Sequence, residues 1–108
     1  MPDLLFGSNV VGALRAGGHD PVLVSNPADL SAALVGADVL IVDLTADPEA
    51  RIELAAPALG DRSTRTLAFF SHVERDVRAD AERAGFDLVV PRSRMARAAA
   101  DLVTRLTA

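Results

Sequence analysis

"ADVLIVDLTADPE", residues 37–49, is the stretch that decides the fold. Val39, Leu40, Ile41 and Val42 form an unbroken apolar run, which reads as a strand buried on both faces, as in a parallel sheet covered by helices. The run closes on Asp43, and a carboxylate at the mouth of such a strand is either a reactive group or the residue that turns the chain. Just beyond, Asp47 reads as a helix cap, with Pro48 and Glu49 in the first turn. That helix should run through Arg51, Ile52 and Ala55 until Pro57 and Gly60 break it.

Outward from this unit the same alternation recurs, giving five strand-like runs, each followed by a helix-like segment. Leu4–Phe6 is the first strand, and Ser8 caps a short helix through Ala16 that Gly17 and Gly18 end. Pro21–Val24 is the second strand, and Ser25 or Asn26 caps a helix that carries Leu30 and Leu34 and stops at Gly36. The third strand covers residues 39–44, and "TLAFF", residues 66–70, is the fourth. "HVERDVRADAERAG", residues 72–85, is the fourth helix, with Glu74 and Arg78 at i,i+4 and Gly85 as a left-handed stop. "FDLVV", residues 86–90, is the fifth strand, and Ser93 caps a last helix with Met95, Leu102 and Leu106 along an apolar stripe. Five such units predict one α/β domain over residues 1–108, a doubly wound five-stranded parallel sheet with helices on both faces. Ligands of such sheets bind beyond the carboxyl ends of the strands, here marked by Gly7 and Ser8, Ser25, Asp43, Ser71 and His72, and Arg92.

Composition narrows the function classes. Half the residues are hydrophobic and 24% are charged, the balance of a folded domain. With no cysteine there is neither a disulfide nor thiolate chemistry. No apolar run approaches a membrane span, and no basic region precedes the first apolar residues, so a cytoplasmic location is expected. A net charge of −4 argues against a nucleic-acid partner. All 11 basic residues are arginine, so no mechanism that needs a lysine can operate here.

Several sharper readings compete with plainer ones. Ser71 and His72 near Asp43 suggest a nucleophile and base, but adjacent strand-end residues point to opposite faces, so Ser71 reads better as a helix cap. His19 and His72, with no cysteine and no HxxxH spacing, make no transition-metal site. "GALRAGGH" follows a helix rather than a strand and reads as a helix stop, not a phosphate loop. Arg92, Arg94 and Arg97 gather at the start of the last helix, either as a solvated face or as a contact for an anion or an acidic partner surface.

The strand ends resemble those of response regulator receiver domains, which are CheY-like, flavodoxin-like folds of strand order 2-1-3-4-5. "LIVDL" puts Asp43 where receivers carry the phosphoaccepting Asp, "LAFFS" puts Ser71 at their Ser or Thr, and "AGFDLVVPR" puts Arg92 at their Lys. The separations of 28 residues from Asp43 to Ser71 and 21 from Ser71 to Arg92 fit that pattern, and the resemblance covers nearly the whole chain. The chain departs from the family where the chemistry lies. The acidic pair that holds Mg²⁺ in receivers is replaced by Gly7, Ser8 and Asn9, and the lysine by an arginine. Val89 and Val90 occupy the region of the switching aromatic, His72 stands where a small residue is usual, and the first helix is about two turns short.

The resemblance therefore implies a pseudo-receiver. It would be a stand-alone signalling domain of the two-component type, not an enzyme, with no cofactor or metal. It would meet a protein partner or a second copy through the fourth and fifth helices, with Arg75, Arg78, Arg94 and Arg97 on the contact surface. The alternatives are a working phosphoacceptor that uses Asp43, with Asp3 or Asp47 recruited to a metal, and a small-anion or nucleotide-binding module at the carboxyl edge.

Overall fold

Five parallel strands form one sheet in the order β2-β1-β3-β4-β5, comprising Asp3–Phe6 (β1), Pro21–Val24 (β2), Val39–Asp43 (β3), Arg65–Phe70 (β4) and Leu88–Pro91 (β5). The computed structural model describes residues 3–6, 18, 21–24, 38–60, 64–71 and 75–107, with backbone alone for 3–6, 21–24 and 75. Three helices follow the last three strands: Pro48–Leu59 (α1), Arg75–Ala84 (α2) and Arg92–Thr107 (α3). The helices expected over 8–16 and 25–36 lie outside the described residues, as do Gly7, Ser8, Asn9, His19 and His72.

Strand alternation sorts the apolar residues into two cores. Leu40, Val42, Ala68 and Phe70 pack with Leu44, Phe86, Ala55 and Ala58 of α1, and Val77 and Ala81 of α2. Val39, Ile41, Leu67, Phe69 and Val90 pack against Met95, Ala99, Leu102 and Val103 of α3. Because β3 feeds both clusters, its residues must be apolar at every position, which is why 39–42 carry no polar break. Truncating Leu40 or Ile41 to alanine would cost about 2–5 kcal/mol.

Several boundaries differ from the sequence expectation, each for a local reason. Pro57 does not break α1. The helix continues to Leu59 because Ala55 and Ala58, on either side of the proline, are buried and hold the last turn on the sheet. Asp47 occupies the cap position of α1 with a left-handed backbone, φ 47°, and its side chain makes no capping bond. Its carbonyl instead accepts the Arg51 amide at 3.1 Å. Ser93 lies within the first turn of α3, which begins at Arg92, so it is not the cap. Arg78 pairs forward with Glu82 at 2.8 Å, while Glu74 lies outside the described residues. Gly85 does stop α2 with φ 104°, and Gly18 is left-handed at φ 88°.

Strand β5 starts at Leu88 rather than Phe86 because the preceding residues have other roles. Phe86 is buried against α1 and α2. Asp87 latches onto Thr66 across the amino edge of the sheet: its carboxylate accepts the Thr66 amide at 2.8 Å and hydroxyl at 3.2 Å. The Thr66 hydroxyl accepts the Asp87 amide at 3.0 Å in return. Thr66 is buried, and this reciprocal latch satisfies its hydroxyl.

Candidate functional site at the mouth of the third strand

Asp43 ends β3 half-buried, on the alternation that sends Val39 and Ile41 toward α3. Its carboxylate is committed to the chain that follows: Oδ1 accepts the Thr45 amide at 2.8 Å and also the Thr45 hydroxyl. An aspartate that caps its own turn two residues on is the Asx arrangement, and it offers the backbone a way out of the strand. The Asp43 carbonyl accepts Nη1 of Arg51 at 2.7 Å, which ties the first turn of α1 to the strand mouth. The Leu44 amide donates to the Phe69 carbonyl at 2.8 Å, so β3 and β4 stay joined one step past Asp43. Asp43 therefore turns the chain, and both its carboxylate and its carbonyl take part.

The register places the other candidates. Asp43 stands level with Phe69 of β4 and, through it, Val90 of β5, so Ser71 and Arg92 each lie two residues farther along the same edge. Ser71 shares the alternation of Leu67 and Phe69 and follows the neighbouring strand, half-buried. Arg92 follows a strand two places away, about 10 Å across the sheet. It is exposed and has no ion pair among the described residues. The partner that holds the Asp43 carboxylate is thus Thr45, rather than Ser71 or Arg92. Sequence reading missed both Thr45 and Arg51; the Asp-x-Thr spacing was the available signal for the first.

The Mg²⁺ of a receiver would find one carboxylate, that of Asp43, at the end of β3. That ion needs hard oxygen ligands, ideally more than one carboxylate, and one oxygen of Asp43 is already engaged by Thr45. Gly7, Ser8 and Asn9 bring no carboxylate to the end of β1. Asp3 cannot be recruited, because it pairs in register with Val39, at the opposite end of the strand from Asp43. Four residues of strand separate the two levels, about 13 Å. Among the described residues no group of three His, Asp or Glu side chains could hold a metal ion.

The proposed contact arginines differ among themselves. Arg94 and Arg97 of α3 are exposed, Arg78 of α2 is exposed but paired with Glu82, and Arg75 is described by its backbone alone. Arg83 pairs with Asp80 on the same helix. Among the described residues no helix is long and apolar enough to cross a membrane.

No protein-family model matches the chain, and no curated protein matches it in sequence. Its likenesses are structural. A response regulator from Thermotoga maritima matches with TM-score 0.76 and 15% identity, over 99% of this chain and 98% of that one. A candidate pilus assembly-related protein from Burkholderia pseudomallei matches with TM-score 0.72 and 20% identity, over 99% and 90%. A response regulator protein from Burkholderia multivorans matches with TM-score 0.69 and 17% identity, over 100% and 97%. At such identities the likeness concerns the fold alone. With the strand order and the full-length coverage together, the fold of this chain is that of the response regulator receiver domain.

Proposed function

We propose that this chain is a signalling or regulatory domain of the receiver fold that acts in the cytoplasm through protein contacts and without Mg²⁺-dependent phosphorylation. It has no catalytic activity of its own in this reading. The observation that carries it is the commitment of the Asp43 carboxylate to Thr45, at an edge with no second carboxylate from the end of β1. Phosphoryl transfer to an aspartate requires a metal or fixed cations to offset the charge that develops on the phosphoryl oxygens. The contact would fall to the outer faces of α2 and α3, which are polar and exposed and pack on opposite faces of the sheet beside β5.

A second reading keeps Asp43 as a phosphoacceptor. Its half-exposed position at the strand mouth, with Ser71 on the same edge, favours it. The depression at the start of α1 is a poor place for the anion of the third reading, because it is lined by Asp47, Pro48, Glu49 and Ala50, whose two carboxylates repel an anion. An amide NMR titration of the labelled chain, first with Mg²⁺ and then with beryllofluoride, separates the first two readings. The proposal expects no saturable shifts at Asp43, Thr45 or Ser71, whereas saturation there with millimolar Mg²⁺ would replace it by the phosphoacceptor.

A further inference from the structure

The last strand and the start of the last helix are held by little buried surface. Of the eleven residues from Asp87 to Arg97, only Val90 and Met95 are buried; Leu88, Val89 and Pro91 are half-buried and the rest are exposed. Strand β5 lies at the edge of the sheet, is four residues long, and ends on a proline that has no amide to give to a ladder. Beyond it the helical path is interrupted at Ala98, with φ −138° and ψ 25°, so the turns over 92–97 do not simply continue into those over 99–107. On both sides of this stretch the chain is firmly seated. Phe86 is buried against α1 and α2, and Ala99, Leu102 and Val103 are buried against the strands on the other face. Local stability follows buried apolar contact, so a lightly buried stretch between two seated ends is the part of a fold that opens first.

The latch at the amino end of this stretch is large for the strand it holds. Three hydrogen bonds join Asp87 to Thr66, two onto the carboxylate and one onto the hydroxyl. Thr66 is 1% exposed and is followed in β4 by apolar residues alone, from Leu67 to Phe70. A valine would fill the same space with no polar atom to bury, so packing does not call for the hydroxyl; the bond to Asp87 does. The latch also sits at the very start of the β4–β5 contact, one pair before Leu67 and Leu88.

We propose that residues 87–97 form a strap that lifts from β4 as one unit while 99–107 stays docked, with the latch between Asp87 and Thr66 as the catch that closes it. Lifting uncovers the edge of β4 and part of the face that Leu67 and Phe69 present to α3, and it carries Arg92 away from the carboxyl edge. Asp43, tied to Thr45 and Arg51, stays in place. One edge of the sheet then has a fixed corner at the mouth of β3 and a movable corner beyond β5.

The test is native-state hydrogen exchange of the labelled full chain, followed by NMR in urea too dilute to unfold it. The protected amides among 88–97 are expected to share one exchange profile, at least about tenfold less protected than the amides of β3 and of 99–107 and with a shallower dependence on urea. Thr66→Val, which keeps the volume and removes both bonds of the hydroxyl, should speed exchange in 88–97 about tenfold, and Asp87→Ala, which removes the acceptor, should do so at least as strongly. Leu40→Val, in the core on the α1 side, should speed exchange in β3 and 99–107 and leave 88–97 unchanged, because Leu40 stays buried when the strap lifts.

Exchange of 88–97 on the same profile as 99–107 would overturn the strap. Unchanged exchange of 88–97 in Thr66→Val would overturn the latch as its catch, since the latch would then stay closed throughout the opening. If Thr66→Val does not fold, the unsubstituted chain still decides the first point and Asp87→Ala decides the second.

Discussion

The mouth of β3 and the start of α3 lie on the same edge of the sheet and use their charges in opposite ways. At the first, the Asp43 carboxylate accepts two bonds from Thr45 and the Asp43 carbonyl one from Arg51, all within the β3–α1 connection. At the second, Arg92, Arg94 and Arg97 make no described pair. The residue that draws the eye as a reactive group is engaged in holding its own turn, and the residues that read as solvent-facing charge are the ones with free donors. A polar group that the fold already satisfies has less to offer a ligand than one it leaves open.

Within this contrast, the largest effect expected tests its first half. Asp43→Ala removes the acceptor of the Thr45 amide and hydroxyl and should destabilise the domain by about 1–2 kcal/mol, less than for a fully buried acceptor because the site is half-open to water. Asp43→Asn keeps an acceptor oxygen in place and should retain most of that stability. Urea denaturation of the three proteins reads both values. If the asparagine variant loses as much as the alanine variant, the negative charge matters and the turn-holding role of Asp43 is wrong.

A smaller effect tests the other bond in the same turn. Arg51→Met preserves the aliphatic stem and removes the donor to the Asp43 carbonyl, so a loss of about 1 kcal/mol is expected, with the fold intact by circular dichroism. Combined with Asp43→Ala the losses should be less than additive, because both variants loosen one turn. Strict additivity would mean that the arginine and the carboxylate support separate parts of the chain.

How much of this could be read from the sequence depends on the distance over which each feature is decided. The third strand was legible because Val39–Val42 must satisfy two cores at once, and an unbroken apolar run is the pattern that does so. Gly85 was legible because a left-handed stop needs its φ of 104°. Pro57 was misread as a break because local preference was weighed without the buried Ala55 and Ala58 that keep the turn in place. The latch between Thr66 and Asp87 joins residues 21 apart, and nothing local announces it. At the site, the positions of Asp43, Ser71 and Arg92 on one edge followed from the strand ends. The partner of Asp43 did not, because it depends on how Thr45 is turned.

The smallest effect bears on the arginines and carries the opposite sign. Because Arg94 sits near the amino end of α3 and one turn from Arg97, removing its charge with Arg94→Gln should relieve both the dipole and the like-charge term. The expected result is a gain of a few tenths of a kcal/mol, visible as a small rise in Tm that disappears in 1 M salt. A loss of stability in Arg94→Gln would show that the guanidinium works within the domain after all, and the contrast between the two regions would then rest on Arg92 and Arg97 alone.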